Sequence, residues 1–87
     1  MRGIAGRHKQ YVDVIVRMQH DGSCTPLSIL WEDGTCYPIR NVLDVRLASA
    51  RLAEGAGMRY TIRVGTTDTY LFREGDRWFV EAKDVPL

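Results

Sequence analysis

The side chains of this chain best suited to holding a metal are His8, His20, Cys24 and Cys36, because imidazole nitrogen and thiolate sulfur are the usual zinc ligands. Their spacing matches no compact ligand pattern. The strand register argued below sets Cys36 near Leu30, with Cys24 six residues further along that strand. At ~3.3 Å per residue the two thiols stand roughly 20 Å apart, whereas a disulfide needs Cα atoms within about 7 Å. His8 falls at the Cys36 end and His20 beside Cys24 at the other, so a four-ligand site would have to span the sheet. Two reduced thiols, no structural metal and no cofactor are the expectation.

Catalysis needs a base or nucleophile held in a cleft. Asp13 and Asp44 fall on outward faces among arginines, where carboxylates form surface ion pairs. The chain has no GxSxG, no HExxH and no phosphate-cradling glycine loop ahead of a helix. "EGAG" (54–57) matches such a loop only in composition and reads as a connector. No catalytic residue is nominated, and a non-catalytic protein is expected.

The whole-chain properties agree. Eighty-seven residues suffice for one domain, near the size where a single core only just outweighs chain entropy. A net charge of +1 does not by itself call for nucleic acid or an anionic membrane. No apolar run approaches the ~20 residues of a membrane span. "MRGIAGRHKQ" carries charge and lacks the apolar core of a signal peptide, so residues 1–8 read as a flexible tail, residues 9–87 as the domain, and the compartment as cytoplasmic.

Strand patterning dominates. In "YVDVIVRMQ", Val12, Val14, Val16 and Met18 hold even positions and Asp13, Arg17 and Gln19 odd ones, a period of two rich in β-branched side chains. Leu27, Ile29 and Trp31 form the apolar set of the next run, then Tyr37, Ile39, Leu43, Val45 and Leu47 in one long third strand. After the Ala/Gly-rich connector of residues 48–57, Met58, Tyr60, Ile62 and Val64 alternate again, followed by "TYLFRE" and "DRWFVE". Cross-strand partners share a face, so turn length can be tested by which residues it sets together. A two-residue turn at Asp21-Gly22 sets Val16, Val14 and Val12 against Leu27, Ile29 and Trp31. At Asp33-Gly34 the same turn would set apolar against polar. A three-residue loop, Glu32-Asp33-Gly34, pairs Ile29 with Tyr37 and Leu27 with Ile39 instead, as a type I turn with a glycine bulge does. Odd-length loops near Gly65 and Gly75 would align Tyr60 and Ile62 with Tyr70 and Phe72, and these with Trp78 and Val80. The expected fold is all-β: two three-stranded meanders, about 9–47 and 58–82, making a six-stranded antiparallel sheet closed as a small barrel or roll.

Two surfaces remain over. Tyr11, Ile15, Leu30, Leu71 and Phe79 fall on the face opposite the core and form a candidate patch for self-association or a protein partner. Dimerisation would add buried area that so small a domain lacks. The alternative is a nucleic-acid surface of Arg40, Arg46, Arg59, Arg63 and Arg73, with Tyr11 and Phe79 as outward aromatics.

The run "PLSILWEDGTCYPIRNVLDVR", with "RYTIRV" and "TYLFREGDRWFVE", resembles a group of short bacterial proteins of unknown function, of clostridial type. The likeness spans about Tyr11 to Glu81 and rests on the Trp-Glu-Asp-Gly turn (31–34), Val-Leu-Asp-Val-Arg (42–46) and the hairpin of 70–80. It implies a compact all-β domain and carries over no activity. A weaker similarity, to small all-β domains accompanying DNA-repair polymerases, would imply nucleic acid.

Overall fold

A computed structural model describes residues 7–48 and 57–83. Seven strands follow in chain order: β1 (Arg7–Met18), β2 (Cys24–Leu30), β3 (Cys36–Pro38), β4 (Asn41–Ala48), β5 (Gly57–Val64), β6 (Thr67–Glu74) and β7 (Arg77–Lys83). All neighbours are antiparallel, in the order β3-β2-β1-β7-β6-β5-β4. The sheet curls into a half-barrel. It has seven strands where six are expected from the sequence, and it does not close. Most of the connector, residues 49–56, lies outside the described residues, as do residues 1–6 of the expected tail. Arg7 and His8, assigned to that tail, already belong to β1.

The extra strand comes from one break. The run from Cys36 to Leu47 parts at Ile39-Arg40: Ile39 N–H donates to the Leu27 carbonyl at 2.9 Å, and Arg40 N–H donates to the Arg63 carbonyl at 2.8 Å. Pro38 supplies no N–H, which suits the end of an edge strand and not the middle of a long one. The chain therefore leaves β2 and joins β5, so β3 and β4 become opposite edges of the sheet. β1 is divided in a similar way, pairing with β7 through Val12 and with β2 from Asp13 onward. Val12 consequently meets Trp78 and not Trp31.

Turn chemistry sets the faces. At Glu32-Asp33-Gly34 the three-residue loop is observed, with Trp31 N–H donating to the Thr35 carbonyl and Ile29 opposite Tyr37. The first hairpin uses the same device. Gln19 N–H donates to the Ser23 carbonyl across His20-Asp21-Gly22, and a bulge at Leu27 restores the expected Val14–Ile29 pairing further along. A two-residue type I′ turn would need Asp21 in the left-handed region, and every positive φ among the described residues belongs to glycine. In the second half the loops are the shorter kind. Val64 pairs with Thr67 and Glu74 with Arg77, leaving two-residue turns whose first residues, Gly65 and Gly75, both have φ 61°. Glycine at that position is the mark of type II′.

Those two short turns correct the odd-loop reading. The first shifts β6 by one residue, so Tyr60 faces Leu71 and not Tyr70 or Phe72. The second shifts again, which returns Trp78 and Val80 to the interior. The core is Ile29, Tyr60, Ile62, Leu71 and Trp78, with Val12, Val14, Val16, Trp31, Ile39 and Val42 packed around it. Leu43, Val45 and Leu47, also expected inside, are 44%, 45% and 72% exposed. Leu43 is the extra residue of a bulge between Val42 and Asp44 on the terminal strand, and Val45 and Leu47 follow it.

Candidate interaction surface

On the convex face, the cross-strand row Phe72–Phe79–Tyr11 carries an aromatic stack. Phe72 and Phe79 lie nearly parallel at 5.1 Å, and Tyr11 meets Phe79 edge-on at 5.7 Å. Tyr70 reaches Phe72 at 6.3 Å. Cations frame the row: Lys9 Nζ lies 5.0 Å from the Phe79 ring centre, Arg77 4.3 Å from that of Tyr11 and Arg59 4.6 Å from that of Tyr70. Such contacts let long charged side chains cover apolar surface with their stems while keeping their heads in water. Lys9 donates to Glu74 Oε2 at 2.9 Å, Tyr11 Oη donates to Glu74 Oε1 at 3.1 Å, and Arg77 Nη2 donates to Tyr11 Oη at 3.0 Å. The Lys9 hydrogen bond is the main reason that Glu74 sits below the usual carboxylate range, and Glu74 in turn holds Lys9 above its ordinary value.

This geometry rearranges the expected apolar patch. Tyr11 and Ile15 are exposed on the convex side, and Leu30 is half-buried opposite Asp13. Leu71 is fully buried in the core, a consequence of the Gly65-Thr66 turn, and is not on this face at all. Phe79 is on the convex side but only 1% exposed, beneath Lys9 and Tyr11. The five residues therefore do not form one accessible surface.

The expected arginine surface is likewise divided. Arg46 and Arg59 are direct cross-strand neighbours on the convex side. Arg46 Nε donates to Asp44 at 2.7 Å, and Arg63 makes two hydrogen bonds to Asp68 at 2.8 and 3.2 Å. That contact lowers the Asp68 pKa and raises that of Arg63. Arg40 donates to the Gly65 carbonyl at the corner of the sheet. Arg73 pairs with Trp78 on the concave side, donating to the Gly75 carbonyl with its guanidinium 5.7 Å from the Trp78 ring centre. The same register shift that buries Leu71 turns Arg73 away from the other arginines.

Cys24 and Cys36 are free thiols, the first half-buried and the second exposed. Among the described residues no group of three or more His, Cys, Asp or Glu side chains is arranged to hold a metal ion, and no helix is long and apolar enough to cross a membrane.

Open clefts among the described residues include two of some size. One, of about 560 Å³, has Ile29, Trp31, Tyr37, Val64, Val80 and Glu81 on its walls. The other, of about 680 Å³, lies between β1 and the β6–β7 turn, with Val14, Val16, Asp76, Arg77 and Trp78 around it.

β4 forms one edge of the sheet. It is an eight-residue terminal strand paired only with β5 among the described residues. Along it Leu43, Val45 and Leu47 carry exposed apolar surface, with Asp44 and Arg46 between them. The sequence pattern marks these three as core. What identifies them as an edge is Pro38 upstream, which ends β3 and sends the chain to the far side of the sheet.

No protein-family model, curated protein or solved structure matches this chain.

Proposed function

We propose that this chain is a non-catalytic interaction module that binds another polypeptide by accepting a strand along the free edge of β4. The observation that carries this reading is the combination of an eight-residue strand edge that has no partner among the described residues with Leu43, Val45 and Leu47 at 44%, 45% and 72% exposure. A strand edge offers a row of backbone donors and acceptors, and folded proteins blunt such rows with charge, proline or cover. This one has a bulge at Leu43, and beyond it a single acid and a single base among apolar residues. An added strand gains backbone hydrogen bonds from the edge and selectivity from alternate side chains.

The apolar convex face gives less support. With Leu71 and Phe79 buried, it reduces to Tyr11, Ile15 and Leu30 around Asp13. A nucleic acid would have to compete with Asp44 and Asp68 for two of the five arginines, and Arg73 faces away. A random peptide library displayed on phage and selected on the immobilised protein tests the proposal. Extended sequences alternating apolar and polar residues should be enriched, and their binding should be lost in Leu47→Lys. No enrichment on a chain that is monomeric under the selection conditions, or binding indifferent to that substitution, would overturn it.

A further inference from the structure

We infer that the strand received by β4 is the β4 of a second copy, paired antiparallel about a two-fold axis through Val45. This inference rests on the edge-binding reading above. It adds the partner and the register.

The segment Leu43-Asp44-Val45-Arg46-Leu47 is complementary to itself when reversed. With the axis at Val45, Leu43 of one copy lies opposite Leu47 of the other, Val45 opposite Val45, and Asp44 opposite Arg46. Directly opposed residues share a face. Val45 lies opposite Tyr60 and Leu47 opposite Met58, on the concave side, whereas Arg46 lies opposite Arg59 on the convex side. Val45 and Leu47 of both copies would therefore continue the concave wall and the charged pairs the convex one, in a single sheet running through both copies. Asp44 and Arg46 already form an ion pair within the strand at 2.7 Å, with side chains 42% and 67% exposed. In the dimer each would also face the opposite charge across the axis, which gives a square of alternating signs.

Other registers fail on the same residues. An axis through Asp44 or through Arg46 sets like charges directly opposite each other, which destabilises a strand pair. An axis between two residues puts Asp44 or Arg46 against an apolar neighbour. Parallel pairing in register stacks Asp44 on Asp44 and Arg46 on Arg46. Leu43 is the extra residue of the bulge between Val42 and Asp44, so the regular ladder of Asp44 to Ala48 carries the Val45 and Asp44–Arg46 part of this symmetry, with Leu43 opposite Leu47 as its outermost pair. A two-fold contact uses the same patch on both copies and is closed, so association stops at the dimer.

Charge exchange tests this. Sedimentation velocity of the full chain across micromolar to millimolar concentrations should give a monomer–dimer equilibrium. Arg46→Asp alone and Asp44→Arg alone should each weaken the dimer on the order of tenfold or more, since each puts like charges opposite each other twice. Mixed in equal amounts, the two variants should form a one-to-one heterodimer, because every acid then faces a base. Circular dichroism should report an unchanged fold for both exposed substitutions, and heterodimer formation requires that both be folded. A wild-type chain that stays monomeric, a dimer indifferent to both substitutions, or variants that fail to complement each other would overturn the inference. If the wild type is monomeric while library peptides still bind in a Leu47-dependent way, only the self-pairing falls. If neither partner binds at β4, the edge reading falls with it.

Discussion

Truncation of two adjacent residues, Leu71 and Tyr70, separates the observed register of β6 from the one the alternation pattern suggests. Leu71 is 0% exposed among Ile29, Tyr60, Ile62 and Trp78, whereas Tyr70 is 46% exposed on the other side of the strand. Leu71→Ala removes three carbon atoms from a filled interior. At ~0.8 kcal/mol per buried methylene, and with a further contribution from the cavity left behind, the loss is about 3 kcal/mol. A chain of this length has a total stability of roughly 4–13 kcal/mol. Each kcal/mol moves Tm by roughly 4–8 °C in so small a domain, so the variant should melt about 12–24 °C lower. Tyr70→Ala forfeits an edge contact with Phe72 and the Arg59 guanidinium on its ring. Together these should cost about 1 kcal/mol. Thermal and urea unfolding of both variants, with the urea slope unchanged from wild type, measures the difference directly. If Tyr70→Ala costs as much as Leu71→Ala or more, β6 faces the other way and the two-residue turn at Gly65-Thr66 is wrong.

Further tests address the turns, the charges and the thiols. Gly75 has φ 61° and open space where a Cβ would stand, so Gly75→Ala should cost about 1–2 kcal/mol from backbone strain alone. A D-alanine introduced there by chemical synthesis should be neutral or stabilising by up to ~1 kcal/mol; equal penalties for both enantiomers would refute the backbone explanation. Asp21, Asp33, Asp68 and Glu74 are all held below their ordinary pKa by hydrogen bonds, from Ser23, Thr35, Arg63 and Lys9 respectively. Groups of this kind contribute fully above the unfolded value near 4 and lose that contribution as pH falls through the folded one. Urea midpoints should therefore drop on acidification below about pH 4, and less steeply in Glu74→Gln. Lys9, held above its ordinary 10.5, behaves in the opposite sense: its contribution is complete below that value and is lost only as pH rises through the folded pKa. In a pulse of maleimide analysed by peptide mass spectrometry, Cys36 should be labelled before Cys24, since it is exposed and Cys24 is half-buried. Equal rates would show that β2 opens as readily as the edge.

The strands that could be located from sequence are those whose alternation is unbroken. Val12, Val14 and Val16 of β1 and Tyr60 and Ile62 of β5 face inward as their period implies. The loop at Glu32-Asp33-Gly34 was equally legible, because only one of its possible lengths keeps Ile29 beside an apolar partner. β6 was not. Tyr70, Leu71 and Phe72 are consecutive and apolar, so periodicity cannot choose between faces, and the choice passes to the turn before them. Gly65-Thr66 and Gly75-Asp76 did carry a signal, since glycine leading a two-residue loop favours type II′. The expected convex patch lost Leu71 through that one turn, and the arginine surface lost Arg73 by the same shift. The β4 edge was hidden for a different reason: Leu43, Val45 and Leu47 alternate as well as any core strand.

Composition and local pattern alone determine that this chain is all-β, where most of its strands run, and which glycines end them, because a side-chain period of two and a positive φ are properties of neighbouring residues. Which strand becomes an edge is settled by long-range pairing. Only when Ile39 bonds to Leu27 and Arg40 bonds to Arg63 does one apolar run divide between the two borders of the sheet. That division leaves Leu43, Val45 and Leu47 uncovered, and hydrophobic alternation is the same whether a strand is covered by its own chain or by another.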